Sequence, residues 1–260
     1  MREHLRELWQ HRELTLSFAR RDIKARYRQT AFGAAWAVLQ PFSLMVVFTL
    51  VFSRFAKIST DGIPYPIFAY TSLIFWTFFA NSVSHGTMAM VANASLVRKI
   101  YFPRETLLIA VILSAGLDLF IAATIFSGML VYYQVGISVT VLWVPVLLVL
   151  QTVFALGISC LSSALHVNYR DVGHALPLLL QLWLFATPVA YPLGLVPEAL
   201  LPFYLLNPMA PIIEGYRRVI LQGIPPDPAQ LMLATVVILT LVCVGYALFK
   251  RAERTFADVI

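Results

Sequence analysis

Six apolar stretches, at about residues 31–55, 66–91, 106–132, 140–165, 175–195 and 229–249, constrain this 260-residue chain more than any other feature. Each is close to the about 20 residues that a helix needs to cross the hydrocarbon core of a bilayer. Only helices and closed barrels satisfy their backbone in lipid, and the period-two alternation of barrel strands is absent from these stretches. The expected fold is therefore an all-α integral membrane protein. Composition agrees, since only 12% of residues are charged and the mean hydropathy is +0.79, whereas roughly a quarter of a water-soluble domain is charged.

Six crossings put both termini on one side, and the positive charges give an independent check, because retained Lys and Arg mark the cytoplasm. Eight lie in residues 1–30, three around 92–105 (Arg98, Lys99, Arg104), one at Arg170, and three in the tail at Lys250, Arg251 and Arg254. Only Arg54, Lys57, Arg217 and Arg218 fall on the other side. The expectation is a multi-pass protein of the cytoplasmic (inner) membrane with both termini cytoplasmic. The net charge of +6 sits at the ends of apolar runs, which points to membrane lipids and excludes a nucleic-acid surface. Cys160 and Cys243 fall inside apolar runs, so no disulfide framework is expected. The charged start lacks a signal-peptide pattern, and the mature chain is expected to begin at Met1.

Residues 1–30 carry apolar or small side chains at Leu5, Leu8, Trp9, Leu16, Ala19, Ile23 and Tyr27, near helical spacing, with Arg2, Arg6, Arg12, Arg20, Arg21, Lys24 and Arg28 mostly on other faces. This predicts an amphipathic interface helix, its apolar face at the acyl boundary, with the chain turning into the bilayer near Gly33. A six-span transmembrane domain follows over 31–260. Six prolines between Pro188 and Pro211 interrupt the region after the fifth span. Two short re-entrant helices, about 196–206 and 209–222, would keep its apolar residues from water and shape an exit at 196–222. The same pattern also fits an apolar lid.

No Gly-Lys pair occurs, so the chain has no phosphate-binding loop of its own. His4, His11, His85, His166 and His174 are scattered without metal-ligand spacing. Asp118, deep in the third span, reads as a hydrogen-bond partner of Asn81 or a nearby hydroxyl, with proton transfer as the alternative. Phe68, Phe75 and Phe79 share one helical face, as do Phe48, Phe52 and Phe55. With Trp76 and Tyr191 these aromatics are candidates to line a carbohydrate conduit by stacking on sugar rings; packing between helices or against lipid is the alternative. Two loops suit docking to a soluble subunit: residues 93–104, with Asn93 as a helix cap and Tyr101 and Phe102 exposed, and residues 167–172, with exposed Tyr169.

The run Arg21-Asp22-Ile23-Lys24-Ala25-Arg26-Tyr27-Arg28-Gln29-Thr30 followed by Gly33, Trp36 and Gln40-Pro41, then Lys99-Ile100-Tyr101-Phe102-Pro103-Arg104, Asn168-Tyr169-Arg170-Asp171-Val172, and Thr187-Pro188-Val189 with Leu206-Asn207-Pro208-Met209, carry a resemblance over almost the whole chain. The sequence resembles the membrane subunit of polysaccharide-exporting ABC transporters, which move O-antigen, capsular polysaccharide or teichoic acid. The resemblance implies a second copy of the chain, two copies of a separate ATPase that holds ATP and Mg, and no cofactor on the permease. It implies ATPase contacts through Arg21, Asp22, Arg98, Lys99, Tyr101, Phe102, Arg104, Tyr169, Arg170 and Asp171. By the same likeness, the first, second and fifth spans would surround the conduit, and the short helices after Pro188 would form the outer gate. The substrate would be a glycan on a polyprenyl-pyrophosphate lipid; Lys24, Arg26 and Arg28 are proposed to attract its pyrophosphate by charge alone. A drug or small-molecule ABC exporter is the alternative, and an ion-driven carrier is disfavoured by the near absence of intramembrane charge.

Overall fold

The computed structural model describes residues 9–28, 30, 32–60, 62–254 and 256, and these are all-helical, with no strand among them. Arg2, His4, Leu5, Arg6 and Leu8 of the expected amphipathic helix, Gln29 and Ala31 of its junction, and the terminal Ile260 lie outside the described residues. The chain runs through α1 (Arg12–Tyr27) and a 3-10 turn at Gly33–Ala35 into α2 (Trp36–Phe48), which widens to π geometry over Thr49–Phe55. Next come α3 (Tyr65–Ala92), the short α4 (Ala94–Lys99) and α5 (Glu105–Tyr132). A 3-10 turn at Val139–Trp143 leads into α6 (Val144–Asn168), followed by α7 (Val172–Phe185). Short α8 (Leu201–Leu205) and α9 (Met209–Arg217), the latter continued by a π turn at Arg218–Gln222, precede α10 (Pro228–Glu253).

The helix starts follow local chemistry. Proline opens the first turn of α3, α6, α8 and α10, where its missing amide would have lacked an intrahelical partner anyway. Asp227 caps α10 by accepting from the amides of Ala229 and Gln230 at 2.9 and 3.2 Å. Asn93 behaves differently from its expected role: it sits before α4, but its side chain donates back to the Ala89 carbonyl at 2.8 Å and closes the end of α3. Gly33 turns the chain between α1 and α2 with φ +50°, a left-handed value that favours glycine.

Among the described residues, five helices are long and apolar enough to cross a membrane: Gly33–Phe55, Tyr65–Ala92, Glu105–Tyr132, Val139–Asn168 and Pro228–Glu253. Their bounds match five of the six expected stretches to within a few residues. The remaining stretch, expected over 175–195, is α-helical only to Phe185, the end of the 14-residue α7, and resumes only as a 3-10 turn at Leu193–Leu195. Prolines 188 and 192 explain the early stop, since the residue before each proline is pushed away from helical geometry.

Within the bundle, α3 is the central element. It buries one face against α5 and α6 and another against α9, and the large core joins Phe68, Phe75, Phe79, Phe154, Leu180 and Ile213. Helices α6 and α10 approach closely because Gly157 faces Gly245: a Cβ on Gly245 would stand 2.5 Å from the Gly157 carbonyl oxygen. A second core occupies the basic end, where Phe18 and Ala19 of α1 pack with Val97, Phe102, Leu107 and Phe249. The apolar side of α1 is thus partly spent on protein, while Trp9 and Leu16 remain exposed.

Candidate functional site: a polar groove between three helices

Helices α2, α3 and α7 enclose a cavity of about 330 Å³. Its walls combine Gln40, Thr77, Asn81, Ser84 and Gln181 with Phe48, Trp76 and Phe185. The register is parallel, because Gln40 and Phe48 of α2 lie along the same lining as Pro177 and Phe185 of α7, and the rings of Phe48 and Phe185 are 6.2 Å apart. Few apolar side chains seal it, since α2 and α7 each bury only three of their residues. Gln40 and Asn81 also line a second cavity of about 200 Å³ at the basic end, together with Arg26, Tyr27, Trp36, His85 and Asp118. The two cavities therefore share a pair of amide side chains, and a polar seam runs from the basic end toward Phe185.

Asp118 meets a nearby hydroxyl, one of the two expected partners, and gains a cation that was not expected. Its carboxylate accepts from the Arg26 guanidinium and from the Tyr27 hydroxyl rather than from Asn81. A buried carboxylate needs a charge partner and full hydrogen bonding, and α1 running alongside α5 supplies both. The sequence could not show this pairing, because its partners are about ninety positions apart. Burial, followed by the hydrogen bond and charge of Asp118, pushes the Tyr27 phenol up to about 12, so it remains a donor at neutral pH. Of the residues expected to attract a pyrophosphate, Arg26 is engaged by Asp118, whereas Lys24 and Arg28 are exposed. His85 donates from Nδ1 to the Asn81 carbonyl of its own helix, 2.9 Å away.

The candidate aromatics divide into two groups. Phe48 and Trp76 face the groove. Phe75 stacks on Tyr216 with ring centroids 3.5 Å apart, Phe79 stacks on Phe154 at 5.1 Å, and Phe68 lies under the Arg217 guanidinium at 3.7 Å. All five rings are buried in the same core, and what separates Phe48 and Trp76 is that they also border the groove. Phe52 packs edge-on against Phe48, but Phe55 is 81% exposed. The expected common face of Phe48, Phe52 and Phe55 is broken because the helix widens after Phe48 and leaves the 3.6-residue phase. The Tyr191 hydroxyl bonds to Tyr204 and donates to the Phe185 carbonyl at 2.8 Å, so it is tied to the end of α7 and is not part of the groove lining.

At the basic end, Arg98, Lys99, Tyr101, Tyr169, Arg170 and Asp171 are exposed, as a docking surface requires. Arg21 pairs with Asp22 at 2.9 Å on the exposed side of α1. Arg104 pairs with Glu253 at 3.4 Å, which ties the loop to the end of α10. Phe102 departs from the expected exposure: it is 3% exposed, with its ring 5.7 Å from that of Phe18. It therefore seats the loop while Tyr101 projects.

Sequence reasoning missed Arg217, counted only as one of the four charges opposite the basic end. It is 1% exposed, and its guanidinium donates to the carbonyls of Val189 and Tyr191 at 2.5 and 3.2 Å. Gln151 was also missed; it donates to the Phe75 carbonyl at 2.7 Å and accepts from Tyr216 at 2.9 Å. For Gln151 the available signal was a polar side chain inside an apolar run, which marks a position that must find a partner within the protein; Arg217, beside Arg218 and near Glu214, carried no such local mark.

Comparison with known proteins agrees with this architecture. The family described as ABC-2 type transporter matches residues 13–221. The chain is 30% identical over 259 residues to the O-antigen export system permease protein RfbA of Myxococcus xanthus, covering 98% of both chains. It is 26% identical to the RfbA of Klebsiella pneumoniae, over 95% of both, and 22% identical to the polysialic acid transport protein KpsM of Escherichia coli, over 90% of this chain and 91% of that one. With a bundle of apolar helices, a polar groove at its side and full-length similarity to transport permeases, the chain belongs to the ABC-2 type transporter family.

Proposed function

We infer that this protein is the membrane subunit of an exporter of lipid-linked polysaccharide, and that the groove between α2, α3 and α7 is part of the glycan's path. The observation that carries the reading is the chemistry of the groove wall. A glycan presents hydroxyls along its edges and C–H faces on its rings. A wall of amides and hydroxyls with interspersed aromatics offers partners to both, and Gln40, Thr77, Asn81, Ser84 and Gln181 with Phe48, Trp76 and Phe185 form such a wall. The names of the relatives, which speak of O-antigen and polysialic acid transport, favour the same substrate class.

In this reading the basic end is cytoplasmic and the chain crosses the inner membrane six times, α7 and the non-helical turn after it completing the fifth crossing. Two copies assemble with two copies of an ATPase, which sits on Tyr101 and Tyr169 and their neighbouring charges. Helices α8 and α9 are the re-entrant gate elements on the outer side. Lys24 and Arg28, exposed beside the second cavity, attract the pyrophosphate of the carrier lipid. The chain itself is a permease and not an enzyme. An ion-driven carrier fits poorly, because Asp118 is already tied to Arg26 and Tyr27. A drug exporter is the second reading; the five amide and hydroxyl side chains that line the groove beside its aliphatic residues favour a hydroxyl-bearing substrate instead.

The test is export in cells lacking the native permease. Replacing Gln40, Asn81 and Gln181 together by Leu is expected to leave the protein in the membrane, bound to its ATPase, while lipid-linked glycan accumulates on the cytoplasmic side. Export at the parental rate by that variant overturns the assignment of the path.

A further inference from the structure

Helix α7 is held very unevenly. Of its 14 residues only Gly173, Leu180 and Leu184 are buried, and Pro177 interrupts its hydrogen bonding. Among the described residues 172–182, no side chain makes a hydrogen bond or ion pair to another element. Its beginning follows the exposed Tyr169, Arg170 and Asp171, and Gly173 rests on the His166 ring of the preceding helix.

Its far end is the opposite. The chain leaves helical geometry after Phe185 and stays inside the protein as an irregular turn to Tyr191, whose carbonyls have lost their helical donors. Side chains replace those donors. Tyr191 donates to Phe185, and Asn207 donates to the carbonyl of Ala186 at 3.2 Å and to the hydroxyl of Thr187 at 2.9 Å. Arg217 donates to Val189 and Tyr191, and Tyr65 donates to Ala190 at 2.6 Å. Arg217 stands on α9, which is itself fixed, because the neighbouring Tyr216 stacks on Phe75 of α3 and donates to Gln151 of α6. Tyr65 is the first residue of α3. Both Arg217 and Tyr65 thus connect the turn to the best-buried part of the bundle.

We propose that Arg217 and Tyr65 are positioning residues that fix the far end of α7, so that the groove widens only by movement of the opposite end of α7 about this anchor. The ATPase side of α7 then acts as the free end of a lever whose short arm is at Ala186. The proposal rests on the reading of the groove as part of the path. Buried backbone acceptors stay with their donors because the alternative is an unpaired carbonyl in an apolar setting. The lightly packed, Pro-interrupted remainder has no comparable restraint.

The test measures displacements in the full permease purified with its ATPase, with Cys160 and Cys243 replaced by Ala. Spin labels are placed singly at Ala175 or Leu182 on α7, outside the groove lining, each paired with a reference label at Val236 on α10. Distances are compared between nucleotide-free and ATP-bound states. At the helical rise of about 1.5 Å per residue, Ala175 is roughly three times as far from Ala186 as Leu182 is. The expected result is therefore a shift at Ala175 roughly three times that at Leu182. Arg217→Gln is expected to bring the ratio toward one. Tyr65→Phe, which removes a single hydroxyl and keeps the ring, is expected to change it in the same direction, and it serves if Arg217→Gln does not fold. Equal shifts at the two labels in the parental complex, or a ratio unchanged in both variants, overturn the anchor while leaving the groove reading intact. No shift at either label in any nucleotide state overturns the groove reading instead.

Discussion

Helices α3 and α7 face each other across the same groove, yet α3 buries most of its length in the chain's own core while α7 buries three residues of fourteen. Both are apolar, so hydropathy does not separate them. The difference lies in their neighbours. Helix α3 is surrounded by α5, α6 and α9 and locked by Gln151, whose amide bridges the Phe75 carbonyl and Tyr216. Helix α7 has protein on one side and exposes Leu178, Leu179 and Leu182 on the other. In a protein whose apolar surface meets either lipid or more protein, the first kind of helix is framework and the second is free to meet lipid, a second copy of the chain, or a passing substrate.

Substitutions break this comparison in a definite order. Phe79→Ala removes a ring that is fully buried between Phe154 and Trp183; such truncations typically cost about 3–5 kcal/mol. The expected outcome is little folded protein in the membrane and a strongly lowered Tm in detergent. Gly245→Leu forces side-chain atoms against the Gly157 carbonyl, and overpacking of this kind costs about 1–3 kcal/mol; it is expected to lower the Tm while preserving assembly at reduced temperature. Phe48→Leu combined with Phe185→Leu acts on the groove: each exchange is expected to cost under about 1.5 kcal/mol in stability and the pair to slow glycan export several-fold at normal membrane amount. Val47→Ala, on the exposed side of α2, is expected to shift stability by less than about 0.5 kcal/mol. A Tm loss for Val47→Ala as large as that for Phe79→Ala would remove the distinction between framework and free helices altogether.

Five of the long helices were legible because the run length and hydropathy that define them are local properties. The same locality explains what was hidden. The end of α7 at Phe185 depends on a turn whose acceptors are satisfied by Tyr65, Asn207 and Arg217, and no window of sequence contains those partners together. Asp118 was read correctly as a buried group needing a donor, but its donors come from α1, which was expected to lie on the membrane surface. Phe75 and Phe79 were placed correctly on one face of α3; periodicity showed that they share a face and was silent about what covers it. The groove's amides did not read as a set in the sequence: Gln40 entered only through the Gln40-Pro41 motif, Asn81 only as a partner for Asp118, and Gln181 as an ordinary polar interruption of an apolar run.

The π segment at Thr49–Phe55 bears on how this chain tolerates changes of length. Each hydrogen-bonded ring of a π helix encloses one residue more than an α-helical ring, so the segment holds slack that α geometry would not need. Losing a residue there is compatible with a return to α geometry that leaves everything before Phe48 in register, including the groove face of α2. A deletion one turn earlier has no such outlet and would rotate Gln40 and Phe48 relative to each other. Natural variation in length within the first span is therefore expected to collect between Thr49 and Phe55 and to spare residues 36–48.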